Sequence, residues 1–289
     1  MGKLFKKAVN NSIPTQLTKK EFNEFILPHL SMGTRGPKIS IPTHKVFNYI
    51  LKLLYTGCQW KELPIDKDQN GDPEIHFTRI FKIYQRWAQN GSLEYIFSNT
   101  VLMLQHKGLL DLSVLHGDGT ASMAKKGGDD VGYSGHKHFK GQKIVVFVDR
   151  NCNIIAPFAT ASGNRHESKL FDTAFNGLKN IMKNIGASLS NIIASLDSAY
   201  DSKSIRKRIF NSGMVPNIKE NQRNRKQTKR GRKRKYVEEI FEERFNTVER
   251  VFAWEDKFKR LLVRFERLSL NHLGMKFIGY AMINLRRFC

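Results

Sequence analysis

The chain has 289 residues, 40% of them hydrophobic, which is enough for one large or two ordinary cores. Forty-nine Lys and Arg against 26 Asp and Glu leave a formal charge of +23, so a basic partner is excluded and a polyanion, inside a cell nucleic acid, is expected. No run approaches the roughly 20 apolar residues of a membrane helix, the start MGKLFKKAVNNS has no apolar signal core, and three scattered cysteines, Cys58, Cys152 and Cys289, frame neither a disulfide set nor a zinc site. The expected location is the cytoplasm, associated with the bacterial nucleoid.

Taken in order, residues 1–110 read as an N-terminal helical DNA-binding region. TKKEFNEFILPHL opens with Thr18 and Glu21 at capping-box spacing. GTRGPKISIP is a Gly/Pro connector, and HKVFNYILKLLYTGCQW is a buried helix that stops at Gly57. After a turn-rich loop, IHFTRIFKIYQRWAQNG places Arg79, Lys82 and Arg86 at i, i+3 and i+7, on one helical face. Two helices with a basic face on the second resemble a helix-turn-helix, although the loop between them is longer than the usual turn.

From residue 111 the texture becomes β. LSVLHGDGT reads as a strand ending at Asp118, and GQKIVVFVDR and CNIIAPFATASG as a hairpin turning at DRNCN. A helix ending at Gly186 follows, then NIIASL, a buried strand that delivers Asp197, then a short basic helix and the strand MVPNI. The order predicts a mixed α/β sheet. Residues 219–243 read as a basic flexible loop: nine of the sixteen residues from Asn221 to Tyr236 are Lys or Arg and none is acidic. The DNA contacts expected there are Arg230, Arg232, Lys233 and Arg234. The tail is strongly helical and is expected to break near Asn271 to Gly274.

Two aspartates at strand ends and Glu249 on a later helix could hold hard cations between them, Mg²⁺ or Mn²⁺, and a pair of such ions clamps an in-line phosphoryl displacement. By spacing alone a strand-end Asp is more often a turn residue or a helix cap. His136 and His138 have the i, i+2 spacing of two strand ligands, but no further Cys or His accompanies them, so a phosphate contact or plain surface fits better than zinc. His166 and Glu167 read as loop hydrogen-bonders that could line a site, and Tyr200 and Asp201 as shaping the turn after Asp197.

The motifs carry more than the spacings. TGCQWKELP, LHGDGT, the strand pair KGQKIVVFVDRNCNIIAPFATASGNRHES, LDSAYDS and NTVERVFAWEDKFKRLLVRFER occur in the order found in DDE transposases of the insertion-sequence four/five superfamily, which the chain resembles. That resemblance implies a ribonuclease H-like mixed sheet flanked by helices over residues 111–289, with Asp118, Asp197 and Glu249 as the metal-binding triad. It implies two divalent ions, Mg²⁺ or Mn²⁺, cleavage at the element's terminal inverted repeats, joining of the 3′-hydroxyls to target DNA, and a homodimer assembled on DNA. Arg244 and Lys257 map onto the family's DNA-gripping basic residues, with Arg244 one residue farther from the Glu than usual and the acids of EDKF where relatives are neutral or basic. The rival readings are a nuclease of the same fold without strand transfer and a DNA-binding protein that has lost the chemistry.

Overall fold

The computed structural model describes residues 12–31, 39–135, 138–165, 167–221 and 234–289. Its N-terminal part is built from α1 (Lys19–Phe25), α2 (Thr43–Thr56), α3 (Phe77–Gln89) and α4 (Ser92–His106). The Thr18–Glu21 capping box forms, with each residue's side chain bound to the other's backbone N–H, and α2 ends on Gly57 in the left-handed conformation. Lys45 of α2 holds Asp66 at 3.2 Å and Glu74 at 2.6 Å, fastening the 57–76 loop to the helix. That loop contains a 3-10 turn, Trp60–Glu62, so α2 and α3 are not joined by the short turn of a helix-turn-helix.

The sheet has six strands among the described residues: β1 (Val114–Met123), β2 (Gly132–Ser134), β3 (Phe139–Asp149), β4 (Ile154–Ser162), β5 (Ile193–Leu196) and β6 (Val215–Ile218). β3 pairs antiparallel with β1, β2 and β4, whereas β1, β5 and β6 run parallel. The β3–β4 hairpin turns where the sequence predicts, and the crossovers to β5 and β6 are α5 (Glu167–Asn184) and α6 (Lys203–Asn211). This is a ribonuclease H-like α/β fold.

The tail forms α7 (Glu238–Glu242), a 3-10 turn at Glu243–Asn246, α8 (Val248–Glu255), α9 (Lys259–Leu262) and α10 (Ser269–Leu285). The end of the segment expected to be a flexible loop is therefore helical from Glu238. The break expected at Asn271 to Gly274 does not occur: α10 runs straight through it, and the chain bends instead between α8 and α9 and between α9 and α10. The physical reason is packing. A Cβ at Gly274 would stand 2.8 Å from the Tyr84 hydroxyl and 3.0 Å from a Leu93 methyl, so this glycine lets α10 approach α3 and α4, while Tyr84 donates to the Asn271 carbonyl. α10 also touches β4 and α8, and a single hydrophobic core runs from Ile13 to Leu285.

Candidate active site

Asp118 lies in the middle of β1 and not at its end, because β3 pairs with β1 along nearly its whole length. What ends nearby is the neighbour: β5 stops at Leu196, opposite Gly117. Asp118 and Asp197 each directly follow the last paired position, Gly117 of β1 and Leu196 of β5, and the like charge of Asp197 acts on Asp118. Successive residues alternate between the faces of a sheet. A Cβ on Gly117 would strike Leu196 and Phe147, and Phe147 packs on Phe171 of α5, so Gly117 faces α5 and Asp118 faces the other layer. That layer is the 3-10 turn and α8, since the Arg244 guanidinium meets the Asp118 carboxylate at 2.6 Å and α8 packs on β1 and β3.

Burial pushes the Asp118 carboxyl up from its ordinary range, Asp197 adds to that shift, and Arg244 and the Gly119 N–H, donating at 2.8 Å, oppose it. Asp197 also caps the 3-10 turn Ser198–Tyr200, accepting from the Ser198 N–H. The helix-cap reading of a strand-end aspartate thus holds for this residue. Asp201, next along, takes Arg206 and Arg234 each at 2.8 Å and the Asn221 N–H at 3.0 Å. Burial works against its ionisation, but these donors win and hold its carboxyl below the usual range.

Glu249 occupies the exposed side of the first turn of α8. Among the described residues no three His, Cys, Asp or Glu side chains stand together closely enough to hold a metal ion. Asp118 and Asp197 directly follow paired positions of neighbouring strands, and Arg244 is the cation lying against Asp118. Arg244 is buried, stacks over Phe241 of α7 at 5.2 Å, and keeps its Nη1 buried without a hydrogen-bond partner. Lys257 donates to the Ile13 carbonyl at 3.0 Å. Arg79, Lys82 and Arg86 all lie on the exposed side of α3, and none makes an ion pair with a described residue. Arg230, Arg232, Lys233, His136 and His166 lie outside the described residues. His138 is exposed, 3.5 Å from the Tyr133 hydroxyl, and Glu167 begins α5.

Three residues at this face escaped the sequence reading. His116 is on the Asp118 side of β1, wholly buried, its Nε2 3.4 Å from Glu243. Burial pushes its imidazole down to about 4, against the pull of Glu243, so it is neutral at pH 7. Glu243, the residue before Arg244, is gripped by Arg150 of the β3–β4 turn through two bonds of 2.8 and 2.6 Å. Nothing in a window around Arg150 or Glu243 signals this, because the partners are 93 positions apart.

One of the two acids of EDKF is accounted for by packing. Glu255 is buried and binds both the Lys276 ammonium and the Tyr280 hydroxyl of α10. It is a packing element between α8 and α10.

A family model described as the transposase DDE domain matches residues 106–285. The chain belongs to that family. The match spans β1 to α10, hence both aspartates and the helix with Glu249, and makes the protein a transposase in general terms. No curated protein matches the chain. The transposase domain contains no helix, among the described residues, long and apolar enough to cross a membrane, and its family implies DNA as partner and divalent ions as cofactors.

The donor chemistry of the site suits such an ion. Two aspartates in adjacent register, one with a carboxyl destabilised by burial and by the other, attract a hard cation, and all the donors are oxygens. Arg244 already pairs with Asp118 there, so an ion at this carboxylate competes with the guanidinium.

Proposed function

We propose that this transposase binds the terminal inverted repeats of its own element, cuts a phosphodiester bond at each end to free a 3′-hydroxyl, and joins that hydroxyl to target DNA. The observation that supports the reading is that Asp118 and Asp197 directly follow the paired positions Gly117 and Leu196 of β1 and β5, with Arg244 against Asp118 and α8 packed on β1. Asp118, Asp197 and Glu249 would hold two Mg²⁺ or Mn²⁺ ions, and bound ions supply Lewis acidity toward the scissile phosphate. Around them the protein's own groups bind and orient the DNA. Arg244, held against Asp118, adds positive charge beside a phosphate bound there. Lys257 and Arg234 add charge along the strand, the Lys/Arg run that includes Arg230, Arg232 and Lys233 follows the backbone, and α3 presents Arg79, Lys82 and Arg86 to the duplex. Two ends must be paired before joining, so a homodimer assembled on DNA is the working form, acting on chromosomal DNA in the nucleoid.

The test is a cleavage and joining assay on labelled element ends with Mg²⁺. Asp118→Asn is expected to lower cleavage by at least about 10³-fold, several kcal/mol of barrier, while gel-shift affinity for the ends holds within a few-fold. Cleavage at the wild-type rate removes the site assignment. Cleavage by the wild type without any joined product makes the protein a nuclease of the same fold.

A further inference from the structure

The Arg244 contact to Asp118 and the start of α8 depend on where the chain lies between Glu243 and Asn246, and the β3–β4 turn touches that segment twice. Arg150 takes the Glu243 carboxylate with a two-pronged grip, Nε to Oε2 at 2.8 Å and Nη2 to Oε1 at 2.6 Å. Two residues on, the Cys152 thiol donates to the Asn246 carbonyl at 3.3 Å. Arg244 lies between these two points of attachment and reaches Asp118, and Glu249 follows within the next turn of helix.

The turn that does the holding is itself fixed from behind. The buried Asp149 carboxylate accepts the N–H groups of Asn153 at 2.7 Å and Asp111 at 2.9 Å. Arg286, buried at the end of α10, donates to the carbonyls of Asn151 at 2.9 Å and Cys152 at 3.0 Å. Arg150 also donates to Ser113 Oγ at 3.1 Å, just ahead of β1. The pair is therefore a link between a rigid corner of the sheet and the strip of chain that carries Arg244 and Glu249. Both side chains are one-third exposed, and an ion pair in that setting contributes little to stability. Its geometry, a planar fork on a planar carboxylate, fixes direction far more than it adds energy.

We infer that Arg150 and Glu243 are positioning residues of the transposition reaction: together they set the register in which Arg244 meets Asp118 and α8 brings Glu249 toward the aspartates. The inference rests on the reading of Asp118, Asp197 and Glu249 given above. It assigns no chemical step to either residue.

The experiment uses the full chain and compares Arg150→Ala, Glu243→Ala, Arg150→Lys and the charge exchange Arg150→Glu with Glu243→Arg. The single Ala variants are expected to lower kcat for end cleavage by about 10–100-fold, the usual cost of losing a group that orients a metal ligand. Their Kd for end DNA should stay within about two-fold, since no phosphate contact is removed. Calorimetric titration of the DNA-free protein with Mn²⁺ should show weakened binding in the same variants. Arg150→Lys should recover part of the loss, and the exchange should recover most of it. Wild-type kcat in the Ala variants overturns the inference. So does a kcat loss that tracks a fall in Tm and is not recovered by the exchange, and so does failure of the Ala variants and the exchange alike to fold, which would make the pair a structural one. Asp118→Asn, run in parallel, separates the two claims: if it cleaves normally the site reading fails, and if it is inactive while the Arg150 variants are normal only the positioning role fails.

Discussion

The cations of α3 and those around the sheet are the same residue types in opposite situations. Arg79, Lys82 and Arg86 lie in water on one helical face. Arg244, Arg260, Arg264, Lys276 and Arg286 are buried, and the first four are paired with Asp118, Glu266, Asp129 and Glu255. Removing a charge from the first group takes a binding contact from solvent. Removing one from the second leaves its carboxylate or carbonyl partners unpaired, in the interior for Glu255 and Glu266 and at the surface for Asp129. The formal +23 therefore overstates the charge a polyanion can reach, and a DNA-binding surface has to be sought among exposed cations, not by counting.

Four measurements would break or sharpen this division. The largest effect is expected from salt: if the exposed cations engage some 6–10 phosphates, affinity for DNA should fall by about 10³–10⁵ between 50 and 200 mM salt, and a shallow slope would mean the exposed surface is not the binding surface. Next is Arg260→Ala. Its guanidinium binds Glu266 at 2.7 Å with both side chains nearly inaccessible, so loss of one partner should cost about 3–5 kcal/mol, read as the urea midpoint. A change below about 1 kcal/mol would show that this cation is not committed to the interior.

The triple variant Arg79→Ala, Lys82→Ala, Arg86→Ala should leave that midpoint within about 0.5 kcal/mol. Its salt slope should flatten by about 0.9 for each phosphate that is no longer neutralised. An unchanged slope would remove α3 from the interface. The smallest effect concerns Asp149, which burial pushes up to about 6, with the N–H donors and Arg286 opposing. The folded value exceeds the unfolded one, about 3.9, so its contribution to stability is present below about pH 4 and lost as pH rises through about 6. Compared with Asp149→Asn, the wild type should gain in relative Tm as pH falls from about 7 to about 4. A Tm difference that is flat with pH would mean the carboxylate is ionised throughout.

Local signals are legible wherever the physics is local. The capping box at Thr18 and Glu21, the stop of α2 at Gly57, the β3–β4 hairpin and the basic face of α3 all follow from residues within a few positions of one another. The sequence misplaces the strand end at Asp118 because the glycines around it look like a terminator, while in the fold Gly117 is required by the side chains of Leu196 and Phe147 and the strand continues under β3. Gly274 misleads for the same reason. Its lack of a side chain serves the approach of α10 to α3, a contact almost two hundred positions away in sequence, and not a turn.

The candidate site divides along the same line. Asp118, Asp197 and Glu249 are found through motif order, a property of the sequence. What the folded molecule adds is that the two aspartates directly follow paired positions of β1 and β5, that a buried arginine lies on one of them, and that Arg150 grips Glu243 beside it.

By itself the sequence determined most of the helices and strands, though not the extent of β1, α7 or α10, and it determined the excess of positive charge and the order of the acidic motifs, since periodicity, capping and composition act over a few residues or none. Only the tertiary structure decided which cations remain in water and which are buried against a carboxylate or carbonyl partner. Burial and pairing are set by neighbours in space, and for Arg150 and Glu243, or Tyr84 and Asn271, those neighbours lie far apart along the chain.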